Sequence, residues 1–363
     1  MTLRPHGPRQ GQRPGEPTRG AGLEVDRDGV LAHRRRAGAL DERLPPGPLS
    51  LRQAAWAGLQ DSSPRAALLS IHARVSGIGP SAWEDPSLVQ LWGPRFAAYV
   101  VAARDLAVFS LGRLPVEARR REAAEELARR LDAFLAGRRM GYGDAARGLG
   151  ESPNMLRYAA PTGTVLIRWD GAHGSEVRTG PRPDMDPLDA RQELLRRYLH
   201  VLGPSTERGF RWWAGVGPAE SRSAFHMLAG SLAPVRTAAG EAWILAEDEA
   251  SFRAPIAPIA PIAPRAPARL LPSGDAYFLL HGPDRRLLVP DAPHGRELWT
   301  GRVPPGALLV HGEVEGVWRR TGADVTIRAW RSLSRIERES VEMEAVSLPL
   351  APSARRGSIR WEA

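Results

Sequence analysis

At 363 residues, 42% hydrophobic and 25% charged, the chain has the balance of a folded globular protein, with material for one large core or two to four small ones. It contains neither cysteine nor lysine, so all 50 basic residues are arginines. This excludes disulfides, thiolate metal sites, cysteine nucleophiles, lysine-closed phosphate loops and side-chain Schiff bases. The net charge of +9 predicts a polyanionic partner, because arginine neutralises phosphate and grips it bidentately, although a genome biased toward arginine codons explains the composition equally well. No stretch approaches about 18 consecutive apolar residues, and arginine, proline and glycine stand where a secretory leader needs apolar ones; the expectation is a cytoplasmic protein with no membrane partner.

In chain order, residues 1–24 read as a disordered basic tail. Residues 25–114 make a first unit. It begins with a short helical pattern at Val30 and Leu31 and a breaker at Pro45 to Pro48, followed by a helix over 51–60 capped by Ser50. A second helix over 64–75 places Ala67, Leu68, Ile71 and Val75 on one face, and two strand-like runs over 88–92 and 96–101 flank a Gly93-Pro94-Arg95 turn. Helix, turn, helix and hairpin in this order predict a winged helix. Residues 115–183 repeat the order: a long helix over 115–135 buries Leu127, Leu131, Phe134 and Leu135, Ser152-Pro153 caps a short one, and a strand covers 164–169. Residues 184–252 repeat it again, with helices over 188–202, 206–214 and 218–228 before strands at Val235 and 243–245. Residues 253–268, with Pro-Ile-Ala three times, read as a semi-rigid linker. Short strands over 277–280, 287–289, 307–310, 316–319 and 324–327 then predict a small β-barrel within 269–349, and 350–363 a tail. The predicted fold class is α+β: three tandem winged-helix domains followed by a small C-terminal β-barrel.

Several segments carry a resemblance. They are Gly58-Leu59-Gln60-Asp61-Ser62-Ser63-Pro64-Arg65, the stretch 91–105, Arg196-Arg197-Tyr198-Leu199 with Gly203-Pro204-Ser205-Thr206 and Trp213-Ala214-Gly215, and Leu270-Leu271-Pro272 with 312–318. Their order and spacing resemble the winged helix DNA-binding domain-containing proteins, the superfamily of the AlkZ- and YcaQ-like DNA glycosylases. The resemblance implies three winged helices cradling double-stranded DNA, a closing barrel, and hydrolysis of the N-glycosidic bond of N7-alkylated purines or crosslinks. It also implies a Gln-x-Gln or Gln-x-Asp motif that positions the water. Gln60 matches the first position and Ser62 stands at the second; in the other register Gln60 is second and Gly58 first. A hairpin motif, Met-Arg-Gly-Thr-Leu-His, is matched at Arg95, with Tyr99 in place of the histidine.

An N7-alkylated purine already carries a positive charge and leaves as a neutral base with the glycosidic electron pair, so such an enzyme mainly places water and stabilises a sugar cation. Gln60 would orient the water, Asp61 would accept its proton or stabilise the oxocarbenium ion, and Ser62 would hold it by a hydrogen bond. Equally, Asp61-Ser62-Ser63 would simply cap the helix that starts at Pro64. Without lysine the glycosylase would be monofunctional, because β-elimination needs an amine. Arg95, Tyr99, Arg157, Arg168 and Arg222 are the candidate DNA contacts, while Tyr198, Trp212 and Trp213 read as core. Nine scattered histidines predict no metal, and Gly215-Val216-Gly217 lacks the third glycine of a dinucleotide loop, so neither cofactor nor nucleotide is expected. Two functions stay open: a glycosylase, and a non-catalytic DNA-binding protein, regulatory or lesion-recognising. Modules used only for protein contacts would show no salt-dependent DNA affinity. Three modules on one chain remove the need to dimerise, so a monomer is expected.

Overall fold

The computed structural model describes residues 23–169, 171, 174–253, 267–301, 303–349 and 357–362. All but two residues of the expected tail 1–24, most of the 253–268 linker and most of the 350–363 tail lie outside them.

The fold is mixed α+β, as expected. It opens with β1 (Leu23–Glu24) and α1 (Arg27–Ala37), followed by a first group of α2 (Pro48–Ala54), β2 (Leu59–Gln60), α3 (Ala66–Arg74), β3 (Leu88–Trp92), β4 (Ala98–Ala102) and α4 (Leu106–Ser110). The second group has α5 (Ala118–Leu135), β5 (Met140–Gly141), α6 (Tyr142–Gly148), a 3-10 helix over Pro153–Thr162, β6 (Val165–Arg168) and β7 (Glu176–Thr179). The third has α7 (Pro187–Leu202), α8 (Glu207–Ala214), α9 (Pro218–Leu228), β8 (Leu232–Thr237), β9 (Gly240–Leu245) and α10 (Glu249–Arg253). Each group carries a small three-stranded sheet, in the orders β2-β4-β3, β5-β7-β6 and β1-β8-β9, the last completed by the opening strand. Helix starts follow the capping chemistry: the Asp186 carboxylate accepts from Leu188 N with Pro187 at the first helical position, and the Thr206 hydroxyl accepts from Gly209 N.

Two expectations about the first group change. The helix expected over 51–60 ends at Ala54, because Gly58 takes φ +71° against the Phe109 and Tyr99 rings and releases Leu59 and Gln60 into a strand paired with Val100 and Tyr99. The start of the chain packs on the third group instead: Leu23 and Glu24, expected in the disordered tail, form β1 and pair in parallel with β8, and α1, placed by sequence order with 25–114, bonds α7 from His33 to the His200 carbonyl at 2.8 Å.

The C-terminal region contains β10 (Arg269–Leu271), α11 (Asp284–Leu288), α12 (Ala292–Leu298), β11 (Gly306–Val310), β12 (Glu313–Thr321), β13 (Asp324–Ala329), α13 (Arg335–Val346) and β14 (Ile359–Glu362). The strands expected over 277–280 and 287–289 are helical here, the first because the Asp275 carboxylate caps a 3-10 turn by accepting from Tyr277 N. Nor does the expected barrel close: the sheet runs β10-β11-β12-β13-β14, with β10 and β14 as its edges among the described residues. A sheet closes to remove edges and bury a face, and both faces are already covered. Val341 and Ala345 of α13 pack with Leu270, Leu308 and Ile327, while Leu271, Leu309 and Val317 join the main core with Leu91, Tyr99, Phe109, Tyr198, Phe210 and Trp213. That main core is shared by the first group, the third group and the sheet. The second group keeps its own, built on Leu127, Leu131, Leu135, Leu156 and Val177. Among the described residues no helix is long and apolar enough to cross a membrane.

Candidate active site

Gln60 lies in β2 opposite Tyr99. Arg95 occupies the turn between β3 and β4 at φ 54°, and Phe96 follows at φ 57°. Two consecutive non-glycine residues in the left-handed region cost about 1 kcal/mol or more each, so neighbours must hold them. Arg95 Nη1 donates to the Trp213 carbonyl at 3.1 Å, Nη2 donates to Gln60 Oε1 at 2.6 Å, and the guanidinium sits 4.8 Å from the Trp212 ring centre. Gly215, at φ +67°, lets the end of α8 reach the Arg95 backbone; a Cβ there would stand 2.6 Å from Arg95 N. Because arginine only donates, the Gln60 atom facing it is the carbonyl oxygen, which fixes the amide's orientation. Its nitrogen then faces Gly274, where a Cβ would lie 3.1 Å away.

Gly274 is held by the residue after it. Asp275 is fully enclosed and accepts from Arg74 Nη1 and Nη2, both at 2.7 Å, and from Ser70 Oγ at 2.6 Å. Burial pushes this carboxyl up, but Arg74 and Ser70 overcome it and keep it below the usual carboxylate range. A buried pair between α3 and the 272–274 turn thus sets the roof over Gln60.

The Asp61 side chain goes elsewhere. It is 3% exposed, with Oδ1 accepting from Ala67 N at 3.0 Å and Oδ2 from Gln90 Nε2 at 2.9 Å. Gln90 in turn accepts from Trp169 N at 2.6 Å and donates to its carbonyl at 3.1 Å. Burial raises the Asp61 pKa to about 6, opposed by the Ala67 N–H and Arg65. The carboxylate therefore caps the start of α3 and ties the first hairpin to the second. The loop beyond it is pinned as well: Arg320 Nη2 donates to the Pro64 carbonyl at 3.0 Å, and Gly171 approaches Pro64 so closely that a Cβ would stand 3.1 Å from its Cα. Arg65, at φ 65°, lies 4.0 Å from the Trp83 ring centre and Arg168 lies 4.8 Å from the same ring. Beside this loop runs a cleft of about 500 Å³ lined by Ser63, Pro64, Pro272, Trp318 and Arg320, among others.

The structure thus brings Gln60 and Arg95 together and sends Asp61 into a separate, enclosed environment, with Ser62 exposed between them and α3. Tyr99 is corrected as a DNA contact: it is 1% exposed, with the Gly93 backbone packed so closely that a Cβ would lie 2.8 Å from Tyr99 Cβ. Arg95 turns inward rather than out from a wing tip. Arg157 bonds Asn154 in its own turn, Arg168 pairs with Glu84, and Arg222 stands exposed on α9. Tyr198 and Trp213 are core, as expected, whereas Trp212 is half-buried between Arg95 and His281, with ring centres 4.7 Å apart in the latter pair. Sequence reasoning missed Gln90, Gly274, Arg74, Asp275 and Arg65. Arg65 stood in a resembling segment without a role, and the Pro-Ser-Gly-Asp sequence at 272–275 signals a turn without saying what it covers. Among the described residues no three His, Asp or Glu side chains gather as a metal cluster.

A glutamine locked by arginine thus sits on a body of three helix-and-small-sheet groups and a terminal sheet. The family model for DNA glycosylase AlkZ-like proteins matches residues 54–348, and the chain belongs to the AlkZ-like DNA glycosylase family. Among solved structures it is similar to the Streptomyces sahachiroi DNA glycosylase AlkZ, with a TM-score of 0.71 at 18% identity over 94% of this chain and 100% of that one, a likeness of fold. The curated proteins contain no match.

Proposed function

We propose that the chain is a monofunctional DNA glycosylase that hydrolyses the N-glycosidic bond of N7-alkylated purines or crosslinks in double-stranded DNA. The observation that carries this reading is the 2.6 Å bond from Arg95 to Gln60 Oε1, which presets the one side chain that matches the family's water-positioning motif. With the oxygen occupied, Gln60 meets the water through its amide N–H, holding the water oxygen in place for attack on the sugar carbon. The leaving base is already cationic and needs no proton. Asp61 has both oxygens committed, so it acts through its negative charge, which favours an oxocarbenium ion, rather than as the base that takes the water's proton. The lack of lysine leaves no side-chain amine to open the abasic sugar.

In this reading the three helix-and-sheet groups work as winged helices that hold the duplex by its phosphates, in a monomeric cytoplasmic protein. Support comes from the repeated small sheets and the +9 charge. The test is base release from a duplex carrying N7-methylguanine, developed with hot alkali, in the wild type, Gln60→Ala and Asp61→Asn. Strand cleavage that needs alkali and falls by about 100-fold in Gln60→Ala is the expected result. Salt-sensitive binding with no release supports the alternative, a non-catalytic DNA-binding protein, which Ser62 at the motif's second position favours.

A further inference from the structure

The Arg95-Phe96 turn has a second side. Arg95 reaches Gln60, while Phe96 lines a separate cavity of about 330 Å³ together with Arg113, Met155, Tyr158, Gly215 and Glu220, among others. The Phe96 and Tyr158 rings meet edge to face, centres 4.9 Å apart, and Met155 and Tyr158 remain 39% and 47% exposed. Arg113 is 4% exposed. Its Nε donates to the Ala214 carbonyl at 3.0 Å and its Nη1 to the Trp92 carbonyl at 2.9 Å, its guanidinium carbon lies 4.8 Å from the Phe96 ring centre, and its Nη2 has no partner. The titratable groups that act on it are Tyr99 and Arg95, with no carboxylate among them. A buried guanidinium with one nitrogen left unpaired is costly, and here Arg113 lines an aromatic-walled space. Glu220, 4% exposed, accepts from Val116 N at 2.8 Å through Oε1 and brings an acceptor to the same cavity.

We propose that this cavity binds a nucleobase, stacked on the exposed Tyr158 ring beside Phe96, with a ring carbonyl accepting from Arg113. The volume suits a small planar ligand, and aromatic faces with a fixed donor at the ring edge are how proteins hold a base taken out of its stack. The same chemistry serves a base drawn from a duplex and a free base in solution. Only the duplex as source rests on the glycosylase reading.

Guanosine is the first probe, observed by saturation-transfer NMR on the full chain. Its ring protons receive saturation from the wild type, and the signal falls about tenfold in Tyr158→Ala, an exposed position whose loss leaves the cores intact, and in Arg113→Gln. Ile336→Ala, at an exposed position on α13 away from the cavity, leaves it unchanged. No transfer to guanosine, or a signal equal in wild type and Tyr158→Ala, overturns the proposal. Benzoate, a planar ring with acceptors but no base, overturns the nucleobase assignment if it binds where guanosine does not. A duplex containing 2-aminopurine tests the source: emission that changes on binding the wild type and not Tyr158→Ala supports extrusion, and emission alike in both overturns the duplex as source. None of these readouts needs turnover, so a chain that binds guanosine and releases no base would refute the glycosylase and leave the cavity's assignment standing.

Discussion

The first and second hairpins each carry an arginine near the turn, and they use it differently. Arg95, between β3 and β4, spends its donors on Gln60 and the Trp213 carbonyl and lays its plane on Trp212. Arg168, at the end of β6, stays exposed, pairs with Glu84 and rests on Trp83. What decides is the approach of a third element: α8 and Gly215 close over the first hairpin and leave Arg95 no way out, and among the described residues nothing comparable covers Arg168. A shared hairpin position therefore does not confer a shared role. An inward arginine shapes chemistry, and an outward one offers charge to a phosphate.

The largest test removes the support behind the first hairpin's glutamine. Arg74→Ala leaves Asp275 charged, enclosed and unpaired, and should cost about 3–5 kcal/mol in denaturant unfolding. Next comes acid. Burial lowers the His33 and His72 pKa values to about 4, so both stay neutral in the fold while the unfolded chain takes up protons. Stability should therefore be lost as pH falls from about 6.5 toward 4, on the order of 2 kcal/mol for each by pH 5. Asp61, at the joint between the hairpins, opposes this: its raised pKa means the fold binds its proton more readily, adding stability as pH falls from about 6 toward 4. Asp61→Asn should make the acid loss steeper, and equal slopes in the two proteins would refute the buried carboxyl. Arg95→Ala should then slow base release about tenfold while leaving the salt dependence of DNA binding unchanged. The smallest effect belongs to Arg168→Ala, which should flatten the logarithmic salt dependence of binding by about 1 and leave the rate at saturation alone. If Arg95 instead flattens the salt slope and Arg168 slows release, the contrast between the hairpins is wrong.

Much of the helical frame was legible in the sequence, since Asp186-Pro187, Thr206 and the Leu127, Leu131, Leu135 stripe announce starts and faces by local chemistry. Gln60 and Arg95 were legible as residues that matter, but their bond was not, because Arg95 turns inward at a φ of 54° against α8, whose close approach Gly215 permits 120 positions later. The Asp61-Ser62-Ser63 cap was half legible: Asp61 does cap α3, reaching over Arg65 in a left-handed conformation that arginine does not advertise. The barrel failed for a related reason. Short apolar runs at 277–280 and 287–289 carry no period that separates strand from helix, and only the side-chain cap from Asp275 decided the first of them.

The pairing of β1 with β8 brings timing into the protein's life. Leu23 and Glu24 meet Val235 and Arg236, so the first described strand has no partner until more than two hundred further residues have been made. At ribosomal speeds that is a wait of about 10–40 s, during which α1 has its third-group contacts still unsynthesised. The groups follow one another along the chain, yet the third is finished by residues made before the first. A nascent chain stalled before β8 would therefore hold an open end that chaperones and proteases can reach, and completion of one late strand would shut it.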